Sequence, residues 1–285
     1  MNARAPVTIR RMQPLLGTWV EIRATGRPGR VERAVRAAFL HLARVQQRMS
    51  FHVRDSVLSR INLHAYRTPQ PVDALTWNVL RKALLLWRGS GGCFDMTVGA
   101  PLVARGVLPD HGFASLAAPV GSDAVKLLPG RRVGLLRPVL LTLDGIAKGY
   151  AVDQAIACLG RAGVEQAVVN AGGDLRVFGP KALPLAIRSA NGAIVDAGLL
   201  RNAAVASSAV GLDASDRARF PGRVLHPAGR ADAAAVPQVW SVRAAQCWRA
   251  DALTKVAALA APADRRAMVA RLSGVLLQAT QGQVA

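Results

Sequence analysis

The spacing of apolar positions changes within residues 141–159, LTLDGIAKGYAVDQAIACL. Apolar residues alternate up to Asp144, as along a strand, whereas from Lys148 onward they recur every three to four positions, as along a helix. This pattern predicts a strand over 138–144 followed directly by a helix over 148–163. A carboxylate, a glycine and a lysine therefore lie at a strand-to-helix junction.

Helical spacing also occurs in several other parts of the chain. The first of these segments carries Val35, Phe39, Leu42 and Val45 on one face, which predicts an amphipathic helix packed on a core. The predicted helices are 31–49, 54–65, 74–92, 251–261 and 263–272. Asp55 and Ser56 both suit the N-cap of the second helix.

Short apolar runs bounded by glycine and proline predict strands in the rest of the chain. The run 165–179 contains Gly172 and Gly173, which indicate a bulge, a turn or a close approach to the backbone. The other predicted strands are 17–24, 184–190, 193–200, 203–209, 237–245 and 274–280.

Helices and strands interleave without a strict strand–helix–strand rhythm. This order favours an α+β fold with a mixed or antiparallel sheet packed with helices over a doubly wound parallel sheet. The sequence shows no internal repeat and no long linker, so residues 1–285 are expected to form a single domain. Residues 210–237 are rich in glycine, proline and charge, which predicts a surface loop or a lid.

Composition and targeting signals are those of a globular chain outside the membrane. The sequence is 51% hydrophobic and 19% charged, without an apolar run long enough to cross a bilayer. Its first residues include arginines but no apolar segment of the kind that follows them in a signal peptide, so a cytoplasmic location is expected. Cys93, Cys158 and Cys247 are far apart, which argues against a disulfide framework or a zinc site.

The charge balance is strongly basic. The formal net charge is +20, and arginine supplies most of it because only five of the 37 basic residues are lysines. A basic field would attract nucleic acid, an anionic membrane or a phosphate-bearing small molecule. The arginines are spread along the chain without a dense run, however, which favours a compositional bias toward arginine and alanine over a binding role.

The junction at 144–150, DGIAKGY, could bind a phosphate. A helix N-terminus exposes unpaired N–H groups and a partial positive charge, to which Lys148 would add a full charge. Gly149 removes a side chain where a ligand could approach, and Asp144 could accept hydrogen bonds from a heterocycle or orient a metal-bound water. Alternatively, Asp144 is only the N-cap of an ordinary helix.

Three further motifs carry polar groups next to glycines or on a helix. In NAGGD, Asn170 and Asp174 flank the two glycines, although a simple hairpin turn would give the same pattern. GGCFDMTVG, at 91–99, places Asp95 after a glycine-rich helix end. In the last motif, Asp251 and Thr254 lie one helical turn apart, a spacing that suits oxygen ligands of Mg²⁺, unless Asp251 is only an N-cap.

Taken together and in this order, these motifs resemble the FAD:protein FMN transferase family, the ApbE-like flavin transferases. The resemblance runs from about residue 12 to the C-terminus, and the most specific combination is DGIAKGYAVD with NAGGD about 16 residues after it. The segments that carry it are LLGTWVEI, MSFHVRDSVLSRIN, GGCFDMTVGAPLV, LDGIAKGYAVD, VVNAGGDLRVFG, VASSAV and ADALTKV.

The resemblance implies a two-subdomain architecture and a Mg²⁺-dependent enzyme that uses FAD as its substrate. Members of the family cleave the diphosphate of FAD, release AMP and attach FMN through a phosphoester to a Ser or Thr hydroxyl of a target protein. The acceptors are redox proteins that present the hydroxyl after an Asp and small residues. Such chemistry needs mainly positioning and charge neutralisation.

The resemblance also assigns roles to individual residues by position. Asp251, Lys148 and Lys255 are expected in catalysis, and the metal ligands are expected to be Asp251, Thr254 and the backbone carbonyl of Ala147. The expected cofactor contacts are Leu16, His52, Cys93, Phe94, Asp95, Asp144, Lys148, Asn170, Gly172, Gly173 and Arg223. From this resemblance, we expect the FAD diphosphate to lie between residue 147 and the helix that carries Asp251.

The sequence departs from the family pattern at four places. Leu16 replaces the methionine of Met-Gly-Thr, and the usual Ser-x-Tyr reads Ser-Phe-His at 50–52, so His52 or Phe51 would pack on the flavin. The segment His-Ile-x-Asp-Pro-x-Thr-Gly is shortened at 223–229. In the metal helix, which normally reads Asp-x-x-x-Thr, Lys255 stands where threonine is expected.

Lys255 is the most consequential departure. Its ammonium could pair with Asp251 and compete with Mg²⁺, could contact the diphosphate directly, or could point away and leave Thr254 to bind the metal. We expect metal binding that is weaker or rearranged relative to the family.

A second hypothesis is therefore an FAD-binding member with lost or altered transfer activity, acting as a flavin carrier or as an FAD pyrophosphate hydrolase. A third, a nucleic-acid-binding protein, is supported only by charge and lacks a binding motif.

Overall fold

A computed structural model describes residues 5–113, 120–189, 191–210, 224–227 and 238–277. Its helices are α1 (Arg30–Met49), α2 (Val57–His64), α3 (Ala74–Gly89), α4 (Gly99–Ala104), α5 (Ala147–Arg161), α6 (Cys247–Leu259) and α7 (Arg265–Arg271). The strands of the first half are β1 (Val7–Leu15), β2 (Thr18–Gly26), β3 (Gln70–Pro71), β4 (Val125–Leu128) and β5 (Arg132–Leu135). Those of the second half are β6 (Gln166–Ala171), β7 (Asp174–Phe178), β8 (Leu183–Arg188), β9 (Ile194–Leu200), β10 (Ala204–Val210), β11 (Gln238–Ala244) and β12 (Gly274–Leu277).

The largest sheet has seven strands in the order β1-β2-β6-β7-β10-β11-β12. Every pair of neighbours in it is antiparallel. A smaller antiparallel sheet has the order β3-β5-β4, and β8 pairs with β9 as a separate hairpin. The predicted α+β class is confirmed. The sequence allowed a mixed or an antiparallel sheet, and the structure shows the antiparallel one.

Two helices, α5 and α6, connect the large sheet to the rest of the protein. α5 packs against α1, α6, β6 and β7, while α6 packs against β10 and β11. One hydrophobic core runs from the large sheet through these helices to the small sheet, with Ile22, Leu42, Leu80 and Leu141 among its fully buried side chains. The division into two subdomains and the single-domain assignment of residues 1–285 stay predictions.

Most predicted helices are confirmed within a few residues. Ser56, not Asp55, caps α2, because its side chain accepts a hydrogen bond from the N–H of Ser59 at 3.0 Å. The run 165–179 forms the hairpin of β6 and β7, whose turn is Gly172–Gly173.

The predicted strand over 138–144 is wrong. Only Leu140 makes a strand-like bridge, to Val98. The backbone of Leu141 instead pairs with the side chain of Asn62, which donates to its carbonyl at 2.9 Å and accepts from its N–H at 2.8 Å. The segment is apolar because it is buried, and its backbone hydrogen bonds go to the side chain of Asn62 and to the backbone of Met96 and Gly99.

Two further predictions concern surface and location. The proposed loop or lid at 210–237 lies almost wholly outside the described residues. Among the described helices, none combines the length and the apolar character that a membrane crossing requires. The cytoplasmic location stays a prediction.

Candidate functional site

The centre of the site is the crossing of α5 and α6. The N–H of Gly149, in the first turn of α5, donates to Oδ2 of the fully buried Asp251 at 3.0 Å. A Cβ on Gly149 would lie 2.4 Å from the carbonyl oxygen of Cys247 and 2.8 Å from Cβ of Asp251. The two helices can therefore touch only because residue 149 has no side chain. This contact brings the first turn of α5 against the helix that carries Asp251.

Asp153 fixes the start of α6. Its carboxylate accepts hydrogen bonds from the N–H groups of Cys247 and Trp248, at 3.0 and 2.9 Å, and forms an ion pair with Arg176. A residue of α5 thus caps the N-terminus of α6. Because α6 begins at Cys247, Asp251 lies inside the helix, and the alternative that it is merely an N-cap is excluded.

Lys255 forms an ion pair with Asp251. Its ammonium contacts Oδ1 of Asp251 and donates to the main-chain carbonyl of the same residue at 3.1 Å. The lysine side chain retains 21% exposure while that of the aspartate has none, so the pair lies at the edge of the core. Of the three arrangements that the sequence left open for Lys255, the structure shows the pairing one.

A second ion pair lies beside the first. Nζ of Lys148 is 3.2 Å from Oδ2 of Asp174, the buried first residue of β7. Burial and the nearby charge of Asp251 raise the pKa of the Asp174 carboxyl to about 6, against the opposing effect of Lys148 and Lys255. The carboxylate of Asp174 in turn raises the pKa of Lys148, which keeps this amine charged.

Asp144 completes this group of charges. The residue is exposed, yet surrounding protein atoms raise the pKa of its carboxyl by desolvation, while His52 and Lys148 lower it and Asp251 raises it. The carboxyl of Asp144 is thus open to solvent yet surrounded by protein atoms, and we call this position the recess. We call Asp144, Lys148, Asp174, Asp251 and Lys255 the lysine–aspartate cluster.

Asp144 is not the N-cap of α5. The residue before the helix is Ile146, and no side chain caps that end. The side chain of Asp144 is exposed and does not cap the helix, which favours the functional interpretation of this residue over the structural one.

Two tight hairpin turns lie side by side next to the cluster. Leu16 and Gly17, between β1 and β2, both have positive φ, 57° and 70°. Gly172 and Gly173, between β6 and β7, have φ of 61° and 101°. The turns are adjacent because β2 pairs with β6, and a Cβ on Gly172 would lie 2.6 Å from Oγ1 of Thr18.

The second turn is tied to the cluster through the chain. Asn170 fixes it by accepting a hydrogen bond from the N–H of Gly173 at 2.9 Å, and Asp174 follows directly. The predicted positions Leu16, Asn170 and Gly172 are thereby brought to one end of the sheet, next to the two ion pairs.

The segment 93–95 approaches the cluster from the other side. A Cβ on Gly145 would lie 3.3 Å from the buried ring of Phe94 and 3.7 Å from Cε of Lys255. Cys93 is half-buried. These contacts place Phe94 at the wall of the recess, and its predicted flavin contact stays a prediction.

Asp95 has a structural role in this arrangement. Its carboxylate accepts hydrogen bonds from the N–H and hydroxyl of Thr97 and from the N–H and hydroxyl of Ser122, between 2.6 and 3.1 Å. These bonds tie the segment before α4 to the start of β4. The predicted contact between Asp95 and the flavin is untested by this geometry.

Two aromatic candidates for the flavin can be separated by burial. Phe51 is fully buried and packs against His111 and Phe113, so it cannot stack on a ligand. His52 is exposed and acts electrostatically on Asp144, which leaves it as the candidate at this position. Arg223 lies outside the described residues.

The predicted magnesium ligands do not fit a divalent cation as they are placed. Both oxygens of Asp251 have partners, Gly149 and Lys255. The hydroxyl of Thr254 is buried, donates to the carbonyl of Asp251 and bonds to Ser208, each at 2.6 Å. Within the described ranges, no three carboxylate, imidazole or thiol side chains are grouped as metal ligands. The role of Ala147 as a carbonyl ligand stays a prediction.

Sequence reasoning missed residues that hold the cluster together. Asp174 was noted only as a polar neighbour of the glycine turn, although the NAGGD motif carries it to the start of a buried strand. Gly149 was interpreted as leaving space for a ligand, whereas its missing side chain allows α6 to pack against α5. The capping by Asp153 could not be read from the sequence, because its partners are 94 and 95 residues away.

A well-formed cavity lies elsewhere in the described part of the chain. It has a volume of about 870 Å³ and is lined mainly by α3, residues 122–127 and the start of α6, with Arg81, Lys82, Trp248 and Arg249 on its walls. None of the lysine–aspartate cluster lines it. The candidate site is assigned to the cluster because charge, glycine turns and helix N-terminus meet there.

The fold and this site define an α+β protein with a charged recess at a helix crossing, and comparison with known proteins names its family. The sequence profile of the ApbE family matches residues 16–277, and the chain belongs to that family.

The chain is similar to a FAD:protein FMN transferase of Vibrio cholerae, with 28% identity over 177 residues that cover 58% of this chain and 53% of that protein. It is also similar to a protein of the same name from Haemophilus influenzae, with 30% identity over 149 residues, or 47% and 43% of the two chains. The chain thus matches about half the length of these relatives.

Solved structures share the fold over almost the whole chain. The ApbE protein of Thermotoga maritima superposes with a TM-score of 0.80 at 23% identity, covering 95% of this chain and 93% of that one. The apo form of the flavinyl transferase ApbE of Pseudomonas stutzeri gives 0.78 at 21% identity, with 94% and 89% covered.

Proposed function

We propose that this chain transfers FMN from FAD to a Ser or Thr hydroxyl of a target protein, forming a phosphoester and releasing AMP. The observation that carries the proposal is the lysine–aspartate cluster at the crossing of α5 and α6, next to the glycine turn of NAGGD. Family membership and the names of the relatives support the same activity.

The proposed reaction is a substitution at the phosphorus of the FMN half. The acceptor hydroxyl oxygen forms a new bond to this phosphorus, the bond from phosphorus to the AMP oxygen breaks, and the hydroxyl proton is released to water. Charge accumulates on the phosphoryl oxygens and on the leaving AMP during this step. Catalysis therefore requires positive groups fixed around the diphosphate.

The recess supplies such groups from two helices. Lys148 stands in the first turn of α5, whose N-terminus adds a partial positive charge, and Lys255 lies on α6. The two lysines are held by Asp174 and Asp251. We assign Lys148 and Lys255 to the diphosphate, and Asp251 to positioning Lys255 and the first turn of α5 through Gly149.

The flavin half is assigned to the wall of the recess. Asp144 and His52 face it, Phe94 lies behind Gly145, and the turn at Gly172–Gly173 allows the backbone to approach a ligand. The resemblance implies Mg²⁺ as a cofactor, but the residues present do not fit a divalent cation, and the reaction is described without it.

The proposal is tested by incubating the protein with FAD and a peptide that presents a Ser or Thr after an Asp and small residues. Intact mass of the peptide and chromatography of AMP are the measurements. We expect FMN on the peptide and AMP in equal amount. Lys148→Met should lower the transfer rate by about 100-fold or more, whereas Lys181→Met, which removes an exposed lysine outside the site, should leave it unchanged.

Other outcomes separate the alternatives. Bound FAD with neither product would identify a flavin carrier, and free FMN with AMP would identify an FAD pyrophosphate hydrolase. Failure to bind FAD at all would reject both alternatives together with the proposed transfer.

A further inference from the structure

The position next to Asp251 is already taken by a cation that belongs to the chain. The ammonium of Lys255 contacts Oδ1 of Asp251, and Oδ2 accepts the N–H of Gly149. A divalent cation at this carboxylate would have to displace the lysine, because its hard charge needs the same oxygen. The lysine is covalently attached, so it competes from within the molecule at a fixed effective concentration, and a metal needs a correspondingly higher concentration to displace it.

The neighbouring hydroxyl cannot substitute for a lost ligand. Thr254 has no exposed surface, and its hydroxyl bonds to Ser208 and to the main-chain carbonyl of Asp251. A metal next to Asp251 would have to break these bonds to reach this oxygen. The residue one position later, Lys255, has instead a side chain that is 21% exposed and lies beside Gly145.

The charges of the cluster point the same way. Asp174 and Asp251 lie close enough to raise the pKa of Asp174, and each has its own lysine. Without Lys255 the two buried carboxylates would have Lys148 as their nearest counter-charge, and the site would attract a cation from solution. With Lys255 present, the protein itself supplies the positive charge that would otherwise come from a cation in solution.

We propose, on the basis of the function proposed above, that the ammonium of Lys255 replaces the divalent cation at Asp251, so that the FAD diphosphate meets two lysines, Lys148 and Lys255. In this arrangement Asp251 positions the ammonium of Lys255 and does not bind a metal. The side chain at 255 decides whether the site depends on a metal: lysine makes it independent, and a short hydroxyl side chain makes it dependent.

Binding of Mn²⁺, followed by its electron paramagnetic resonance signal without any flavin, tests this inference directly. Wild type should bind Mn²⁺ at least about tenfold more weakly than Lys255→Thr, and Lys255→Arg, which keeps a cation, should behave as wild type. Lys181→Thr is the matched control, because it makes the same substitution at an exposed lysine outside the site. The site gained in Lys255→Thr should disappear in the double variant with Asp251→Asn.

The wild type alone can overturn the inference. Saturable Mn²⁺ binding by wild type that is lost when Asp251→Asn is introduced would show that the lysine leaves the carboxylate for a metal. This arm needs only the wild-type fold and Asp251→Asn, so it decides the matter even if Lys255→Thr does not fold. Absence of Mn²⁺ binding at Asp251 in wild type supports the inference.

A second measurement separates this inference from the proposed function. Transfer of FMN by wild type should persist in excess EDTA, whereas Lys255→Thr should lose transfer in EDTA and regain it with Mg²⁺. Abolition of wild-type transfer by EDTA would reject the inference and leave the transferase standing. If neither protein transfers FMN, the proposed function fails, and the Mn²⁺ experiment still reports on Lys255.

Discussion

Asp174 combines full burial with a charge that the protein must support. Its carboxyl has a pKa of about 6, well above the usual value of 3.8, because burial and Asp251 outweigh the effect of Lys148 and Lys255. The folded protein therefore holds a proton on this group over a pH range where the unfolded chain has released it. Because protonation is linked to folding, this residue lowers the unfolding free energy as pH rises from about 4 to above 6.

The change Asp174→Asn removes this dependence. We expect the unfolding free energy of wild type, taken relative to the variant, to fall by about 2 kcal/mol between pH 4 and pH 7. Urea unfolding of both proteins at half-unit pH steps measures the difference, and titrations common to both proteins cancel. A difference that stays level, or rises with pH, would show that pairing with Lys148 outweighs burial at this site.

At the level of elements, the crossing of α5 and α6 depends on one missing side chain. A Cβ at 149 would meet backbone atoms of Cys247 at 2.4 and 2.6 Å, and backbone cannot move aside as a side-chain end can. The helices would have to separate, and the hydrogen bond from Gly149 to Asp251 would be lost. The geometry of the cluster is thus set by helix packing.

We therefore expect Gly149→Ala to lower the unfolding free energy by about 3 kcal/mol through overpacking. The matched control is Gly160→Ala in the same helix, where a Cβ would meet only the ring of Phe178, at 3.4 Å, and where alanine favours the helix by up to about 1 kcal/mol. Urea unfolding compares the two. Equal and small effects would mean that α6 accommodates a methyl group, and that the close crossing is not required.

The hairpin of β1 and β2 carries strain at Leu16. This residue has φ of 57°, a conformation that costs a branched side chain about 1–2 kcal/mol. Asparagine tolerates it, and the main-chain N–H would keep its hydrogen bond to Gln46. We expect Leu16→Asn to raise the unfolding free energy by about 0.5–1 kcal/mol and to weaken FAD binding, because strain of this kind is retained where a side chain serves a ligand.

The neighbouring variant Leu15→Asn is the control, since Leu15 is also half-buried but has no positive φ. It should only destabilise. Thermal or urea unfolding gives the stability, and flavin fluorescence gives the affinity. If Leu16→Asn lost as much stability as Leu15→Asn, packing of Leu16 on the core would outweigh its strain.

The same elements show what the sequence could predict. Helices with apolar positions at regular spacing, such as 31–49, were located within one residue. The strand β1 was missed, because most of its residues are exposed and its alternation ends after residue 10. Its existence depends on pairing with β2. The false strand at 138–144 had the composition of a strand, but its backbone bonds to the side chain of Asn62 and to isolated backbone groups of Met96 and Gly99.

The site was predictable to the extent that its residues carry local motifs. Asp144, Lys148 and Asp251 were each found from a glycine, a helix start or a helical spacing. Their contacts through Gly149 and Asp174 were not predictable, because they join segments up to 102 residues apart. Lys255 was found as a departure from the family pattern, and the structure selected one of its three possible arrangements.

For the whole molecule, the net charge of the chain is positive, whereas the net charge of the lysine–aspartate cluster is negative. The chain carries a formal net charge of +20, whereas the lysine–aspartate cluster has three carboxyl groups for two lysines. The recess itself therefore does not attract an anion strongly from a distance. The arginines spread over the rest of the chain supply the long-range attraction, which acts on any anion and falls off within about 10 Å at moderate salt.

If FAD is the ligand, this field should accelerate its association. We expect the association rate constant of FAD to fall by about tenfold between 20 mM and 500 mM NaCl, because screening removes the attraction on its diphosphate. Riboflavin, which shares the flavin ring but is uncharged, is the control, and its rate should change little. Stopped-flow flavin fluorescence measures both. Equal salt dependence for the two ligands would mean that the arginines reflect composition alone, and that the diphosphate senses only the lysines of the recess.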